Sequence, residues 1–347
     1  MPSGPEIKAT VVVVTYNGAH LLPACLDALE RQTLDRRTFE VVVVDNGSSD
    51  GTAEIVRHRY PGVRLIEAGA NLGFAAGNNL ALRRVTAPFA VLINNDARPA
   101  ADFLERIVVP FDAPGAGRVA AVTAKVLFAE DGADGRPMIN STGNLIGRDG
   151  RGFDRDFGRV DGGPPAERVV FGFYGGASAL RMQALRAVGG FDDDLFLYFE
   201  DTDLSWRLRS RGWEIWYEPT AVARHLYAAS SDPASPFFVY QQARNMLIVF
   251  TRHAPAATAT WVALRFLIAA PWRALRELPD LRRTHARLMA FGAYLKRLPR
   301  VLRERRRIWR DAPVPRRELA GFLEPRKERG RRTGGSAAPS RGPTSER

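Results

Sequence analysis

The segment Ala9–Thr15, Ala-Thr-Val-Val-Val-Val-Thr, offers no polar side to water on either face of a strand. A continuous β-branched run of this kind belongs to a strand covered on both sides, as in a parallel sheet between two layers of helix. The chain then repeats the arrangement. Leu21, Leu22, Cys25, Leu26 and Leu29 follow at helical spacing, and Phe39–Val44 is a second buried run. Ser49 or Asp50 is placed to cap a helix through Val56, and Pro61-Gly62 leads into a third strand, Val63–Ile66. Gly73–Val85 reads as a helix and Phe89–Ile93 as a fourth strand. This rhythm predicts an α/β fold with a mostly parallel, Rossmann-like sheet. Ligands of such sheets bind beyond the carboxyl ends of the strands, where the polar clusters of this sequence fall.

Further along, Arg118–Phe128 and Met138–Ile146 are predicted strands around a Gly/Asp-rich turn, and Gly147–Pro165 is predicted to be a mobile loop over the site. Met182–Val188 and Glu200–Arg211 read as helices and Trp213–Tyr217 as a last strand. From Pro236 the pattern is helical, and beyond about Arg326 the composition is that of disorder. The expected organisation is a sheet-bearing unit over 1–250, a basic amphipathic helical region over 251–325 and a disordered basic tail over 326–347.

The net charge of +12 is unevenly distributed. From Gln241 onward 25 Lys and Arg face 8 Asp and Glu, a net of +17, whereas the preceding residues hold 25 basic and 30 acidic side chains, a net of −5. A basic end on a mildly acidic body points to an anionic partner, a phosphate-bearing membrane or nucleic acid. Cys25 is the only cysteine, which excludes an intrachain disulfide and fits a reducing compartment. The apolar stretch Ala254–Trp272 is interrupted by Arg265 and falls short of the roughly 18 uncharged residues a spanning helix needs.

Four clusters carry candidate chemistry. Thr15-Tyr16-Asn17 and Asp45-Asn46-Gly47 both follow buried strands and so share one sheet edge, where a carboxylate can take hydrogen bonds from a base or a ribose. The same residues could form an Asx turn and helix cap without any ligand. Asn71-Leu72-Gly73-Phe74, with Gly77 and Asn78 after it, opens a helix with small residues and free N–H groups, which suits close approach of a phosphate or sugar. Asn94-Asn95-Asp96 ends the fourth strand, where an oxygen ligand could bridge a divalent cation to a diphosphate, or simply make a turn. The last cluster sets Gly175-Gly176 ahead of Phe199-Glu200-Asp201-Thr202-Asp203-Leu204-Ser205-Trp206-Arg207. Helical spacing gives Asp201 the inward face with Leu204 and Leu208, and pairs Asp203 with Arg207 on the side of Glu200. Asp201 is thus expected in the cleft, kept ionised by the helix dipole and able to deprotonate a hydroxyl. Downstream, His225 is a candidate metal ligand and Arg244 a candidate phosphate ligand.

Together these clusters resemble the inverting family 2 glycosyltransferases, in particular the rhamnosyltransferase-like bacterial enzymes of polysaccharide and cell-wall assembly. The resemblance spans about Ala9 to Phe250. It implies the glycosyltransferase A-type fold, with a C-terminal helical extension here. It further implies a nucleoside-diphosphate sugar donor (dTDP- or UDP-linked) surrounded by Thr15, Tyr16, Asn17, Asp45, Asn71, Gly73, Phe74, Gly77, Asn78, Asn94, Asn95, Gly176 and Arg244. Asp96 and His225 would bind Mg²⁺ or Mn²⁺, Asp201 would be the base, and Glu200 and Trp206 would support it or the acceptor. Many relatives carry Asp-x-Asp after the fourth strand; Asn94 replaces the first acid here.

The acceptor implied is a glycan or a polyprenyl-diphosphate-linked sugar, at the cytosolic face of the inner membrane. The tail suits that setting: Trp261, Leu264, Leu267, Ile268, Trp272 and Leu275 form a stripe, and Leu281, Leu288, Leu295 and Leu302 recur every seven residues among arginines. The same stripe would equally serve packing on the catalytic unit or on a second copy in a homodimer. Other classes are less well matched. A nucleotidyltransferase would be expected to show a Gly-rich loop with Arg or Lys after the first strand, where this chain has Thr15-Tyr16-Asn17-Gly18-Ala19. A non-catalytic sugar-nucleotide-binding scaffold would be expected to have lost Asp201 or Asp96. A nucleic-acid binder would be expected to carry a recognised module beside its basic tail, so no nucleic acid is expected as partner.

Overall fold

The computed structural model describes residues 6–162, 167–226, 232 and 234–324; the expected disordered tail over 326–347 lies outside them. The N-terminal rhythm is as the side chains dictate: β1 (Ala9–Thr15), α1 (Leu22–Glu30), β2 (Phe39–Asp45), α2 (Thr52–Arg59), β3 (Arg64–Glu67), α3 (Gly73–Leu82) and β4 (Phe89–Ile93). Then come β5 (Ala97–Pro99), α4 (Phe103–Val108), β6 (Val119–Phe128), β7 (Ile139–Ser141), β8 (Asn144–Gly147) and β9 (Gly152–Asp154). They are followed by β10 (Ala177–Arg181), α5 (Met182–Val188), α6 (Glu200–Ser210) and β11 (Glu214–His225). The C-terminal part holds α7 (Pro236–His253), α8 (Ala256–Ile268), α9 (Ala270–Arg276), α10 (Arg282–Arg310), α11 (Arg316–Leu319) and β12 (Leu323–Glu324).

The main sheet runs β3-β2-β1-β4-β10-β6-β11-β5, with β7 also on β6. β3, β2, β1 and β4 are mutually parallel, β10 is antiparallel to both β4 and β6, and β6 and β11 are parallel again. The valines of β1 explain the order. Val11 and Val13 belong to the core on one face and Val12 to the core on the other, all fully buried, so β1 has to be an inner strand. The carboxyl ends of β1, β2 and β4 therefore open on one edge, and the polar clusters follow directly from them.

Two expectations are corrected by the backbone. Met138–Ile146 is not one strand: it breaks at Gly143 (φ +123°), where an added Cβ would lie 2.8 Å from the Gly172 carbonyl oxygen. The break sends β7 to the main sheet and β8 to a second sheet of order β12-β8-β9. Part of the expected loop over 147–165 is strand β9, paired with β8. Position 250, where the expected organisation places a boundary, lies in α7. A third core joins Phe171, Phe199 and Trp206 to Leu247, Phe250, Phe266, Ala290, Tyr294 and Leu323, so the C-terminal helices share a core with the sheet-bearing part.

Candidate functional site

A cleft of about 650 Å³ opens at the carboxyl edge of the sheet. Of the residues singled out in the sequence, Thr15, Tyr16, Asn71, Gly73, Phe74, Asn94, Asn95, Asp96, Gly176, Glu200, Asp201 and His225 line it. The fold brings them together from segments more than two hundred residues apart in sequence.

The wall formed by the ends of β1, β2 and β4 is held by hydrogen bonds between strand ends. Asn95 donates through Nδ2 to Thr15 Oγ1 at 2.9 Å, tying the end of β4 to that of β1. Asn46 donates to the Gly73 carbonyl at 2.9 Å, while its own Oδ1 is buried without a partner in the cleft wall. Asn46, part of the cluster that follows the second buried strand, thus enters the cleft where its neighbour Asp45 does not. Two glycines are required by contact. Gly73 has φ +78°, and a Cβ there would meet the Phe196 carbonyl oxygen at 2.5 Å; a Cβ on Gly176 would lie 2.7 Å from Asn94 Nδ2.

Asn17, Asp45, Gly77, Asn78 and Arg244 stand outside the cleft lining. Asn17 accepts from Ser49 N at 2.9 Å, and Asp45 accepts from Ser48 N, so both spend their side chains on the loop that follows β2. Gly77 lets α3 approach Val14, and Asn78 bonds back to the Phe74 carbonyl. Arg244 is committed elsewhere. It donates to the carbonyls of Asp194 (3.0 Å) and Leu195 (3.1 Å), while Asn245 donates to those of Leu195, Leu197 and Tyr198 at 2.7, 2.9 and 2.7 Å. This pair clamps the turn ahead of α6, where Phe196, Tyr198 and Phe199 all take positive φ (61°, 71° and 68°). Left-handed backbone at bulky residues costs on the order of 1–3 kcal/mol each and persists only where neighbours over-determine it. The clamp explains why α6 begins where it does, with Asp201 in its first turn.

Asp201 Oδ2 accepts from Gly175 N at 3.2 Å and Oδ1 from Thr202 N at 2.6 Å, with a further bond to Asn144 of β8. Burial raises its proton affinity above that of an ordinary aspartate, and these donors lower it only in part. The expectation that the helix dipole sets its ionisation is thus corrected: desolvation dominates, and makes the carboxylate a stronger base. Glu200 does not turn away with Asp203; it lines the same cleft. Its Oε2 is buried without a partner, and burial followed by the Asp201 charge raises its pKa well above the usual glutamate range. Asp201 thus has donors on both carboxylate oxygens, whereas Glu200 Oε2 has none.

Asp203 is fully buried beneath the site, where Arg207 Nε (2.7 Å), Arg252 Nη1 (2.6 Å) and His253 Nε2 (2.8 Å) surround it. Burial alone would raise its pKa; Arg207 and Arg252 outweigh it and hold the carboxyl well below the usual range. Burial pushes His253 down to about 4 against the pull of Asp203, so the ring is neutral at pH 7. Trp206 stacks on that ring at 5.3 Å and supports α6 from below, outside the cleft.

Across the cleft, His225 at the end of β11 places Nε2 3.0 Å from Asp96 Oδ1. Asn140 Oδ1, 2.9 Å from His225 Nδ1, can only accept, so that nitrogen carries the proton. Asp96 Oδ1 is buried and has no hydrogen-bond partner. Two lone-pair donors converging in a buried wall, the histidine oriented by an outer hydrogen bond, fit a divalent cation. Among the described residues no group of three His, Cys, Asp or Glu is arranged to hold a metal alone. Asp154, hidden from sequence reasoning in an Arg/Gly/Asp-rich stretch, also lines the cleft; burial, reinforced by the Asp201 charge, pushes its carboxyl up to about 7.

The model of the family "Glycosyl transferase family 2" matches residues 10–189, the segment that holds every strand of the main sheet but β11. The chain belongs to this family. The N-acetylglucosaminyl-diphospho-decaprenol L-rhamnosyltransferase of Mycobacterium tuberculosis is 32% identical to this glycosyltransferase over 255 residues, covering 65% of this chain and 78% of the relative. The pre-mycofactocin glycosyltransferase of the same organism is 27% identical over 229 residues, covering 65% of this chain and 44% of that one. Among solved structures, the mannosyltransferase PcManGT from Pyrobaculum calidifontis aligns with TM-score 0.52 at 20% identity over 84% of this chain and 89% of that one. GalNAc-T7 aligns with TM-score 0.58 at 13% identity over 89% of this chain and 59% of that one. These similarities bear out the glycosyltransferase A-type fold. No helix among the described residues is long and apolar enough to cross a membrane.

Proposed function

We propose that this family 2 glycosyltransferase transfers a sugar from a dTDP- or UDP-sugar to a hydroxyl of a polyprenyl-diphosphate-linked saccharide, with inversion. The observation that carries this reading is Asp201, half-buried in the cleft wall with its anion held by Gly175 N, Thr202 N and Asn144. A carboxylate so placed takes the acceptor proton as the acceptor oxygen bonds to the anomeric carbon. The bond from that carbon to the diphosphate breaks at the same time, its electron pair leaving with the nucleoside diphosphate. Attack opposite the leaving group gives the inverted product. The named activity of the mycobacterial relative, a rhamnosyl transfer to a diphospho-decaprenol-linked N-acetylglucosamine, supports both the acceptor class and L-rhamnose as the first donor sugar to try.

Asp96 and His225 would hold Mg²⁺ or Mn²⁺, which supplies positive charge against that gathering on the departing diphosphate. Asn94, in place of a second acid, leaves the donor phosphates to complete the ligand set. The donor reading is tested by following nucleoside diphosphate release from a panel of dTDP- and UDP-sugars, then the anomeric configuration of the product by NMR. Release from no donor, or retention in the product, would overturn it. Excess chelator is expected to abolish transfer and added Mn²⁺ or Mg²⁺ to restore it. Undiminished turnover in chelator would assign Asp96 and His225 to a structural pair.

A further inference from the structure

The C-terminal helices have two distinct faces. α10 turns Ala286, Ala290, Tyr294 and Val301 into the core it shares with α7 and leaves the heptad Leu281, Leu288, Leu295 and Leu302 outside. Leu288 is 63% exposed, and on α8 and α9 Ile268 and Trp272 are each 67% exposed. The two surfaces are continuous: Leu267 of α8 and Leu288 of α10 line one apolar crevice of about 40 Å³ between the helices. Toward its C-terminal end the outer stripe of α10 changes from leucine to Arg303, Arg306, Arg307 and Arg310. Among the described residues none of these four arginines has a carboxylate partner, and the one acid of α10, Glu304, already pairs with Arg252 and Arg300.

A face that is apolar over most of its length and then strongly cationic fits one kind of partner, an apolar layer bordered by phosphates. Nucleic acid would leave the leucine and tryptophan stripe bare. The rest of the molecule adds direction: residues up to 240 carry a net charge of −5, so an anionic surface repels the body and attracts only this side. We infer that the outer face of α8, α9 and α10 docks flat on an anionic membrane, with the tryptophans and leucines among the acyl chains and the arginines on the headgroup phosphates. The inference rests on these helices alone and stands apart from the donor and acceptor reading.

Cosedimentation of the full chain with vesicles tests it, comparing phosphatidylcholine alone with an equal mixture of phosphatidylcholine and phosphatidylglycerol. The protein is expected to pellet with the mixture only, and less as salt rises. Exchange of Arg303, Arg306, Arg307 and Arg310 for Gln is expected to weaken partitioning by at least about tenfold, and Trp272→Glu with Leu288→Glu to remove what persists at high salt. All six positions are on the outer face, and circular dichroism verifies that both variants stay folded. Equal pelleting of the parent and both variants would place binding on the terminal arginines beyond 324 and overturn the inference. So would no preference for the anionic mixture, retention on a DNA duplex without vesicle binding, or a dimer in light scattering that Trp272→Glu separates.

Discussion

Asp201→Asn is expected to lower turnover by about two to four orders of magnitude, the usual weight of a positioned general base, and to leave donor binding and the fold intact. The reason is geometric. The amide keeps the size of the carboxylate and one acceptor oxygen, for Gly175 N or Thr202 N but not both, and it has no basic electron pair for the acceptor proton. The pH dependence gives a second readout. Burial raises the Asp201 pKa above the ordinary aspartate value, so the acid limb of kcat/KM for the parent is expected above pH about 4, where free aspartate would put it. That limb should be absent from the residual activity of the variant. Near-parental turnover in Asp201→Asn would remove Asp201 as the base; Glu200→Gln would then be the variant to measure, since its carboxyl lines the same cleft.

Arg252→Ala is the largest expected change in stability. Asp203 is fully buried, and Arg252 joins it to Asp192 and Glu304, each at 2.6–2.8 Å. Removing one partner from a buried pair typically costs about 3–5 kcal/mol, because the remaining charge is stranded without solvent. Urea unfolding followed by tryptophan fluorescence measures the loss, Trp206 being stacked on His253 within the same network. A loss below about 1 kcal/mol, the contribution of an exposed ion pair, would show that Arg207 and His253 suffice. Acid is expected to act in the same direction. The folded pKa of Asp203 is depressed, so its contribution is present above the unfolded value of about 3.9 and is lost as pH falls below it. His253 is depressed to about 4, so the folded state also loses ground between pH about 6.5 and 4, as the unfolded chain takes up that proton first.

The main sheet was legible because β1, β2 and β4 are long runs of buried β-branched or apolar residues, a signal that survives without tertiary context. The β8–β9 arm was not. Its strands have four and three residues, too short for a period to show, and β9 is set among Arg, Asp and Gly that read as loop. Its polar contributions, Asn144 to Asp201 and Asp154 to the cleft, were hidden for the same reason. The first turn of α6 was read on an ideal helical wheel, which put Glu200 beside Asp203. The left-handed residues Tyr198 and Phe199 re-aim that turn, and Glu200 enters the cleft. Arg244 was assigned by charge alone; only the fold reveals the carbonyls of Asp194 and Leu195 waiting for it. The amphipathic stripe of the tail was read correctly as a stripe, yet a linear sequence could not tell that α10 uses one face for the core and keeps the heptad leucines outside.

The pairing of β12 with β8 has a consequence for how the enzyme is made. Translation delivers residues 9–225, enough for the sheet and every lining residue contributed by its strands, before α7 and well before α10 and β12. A nascent chain at that stage holds Asp203 with Arg207 alone, since Arg252, His253 and Glu304 are still to come, and its β8–β9 arm lacks a third strand. N-terminal units fold first during synthesis, so the cleft is shaped early and braced last. Competence for turnover is then expected only once α10 and β12 have been made, and a released fragment ending near residue 230 should bind donor loosely and turn it over slowly if at all.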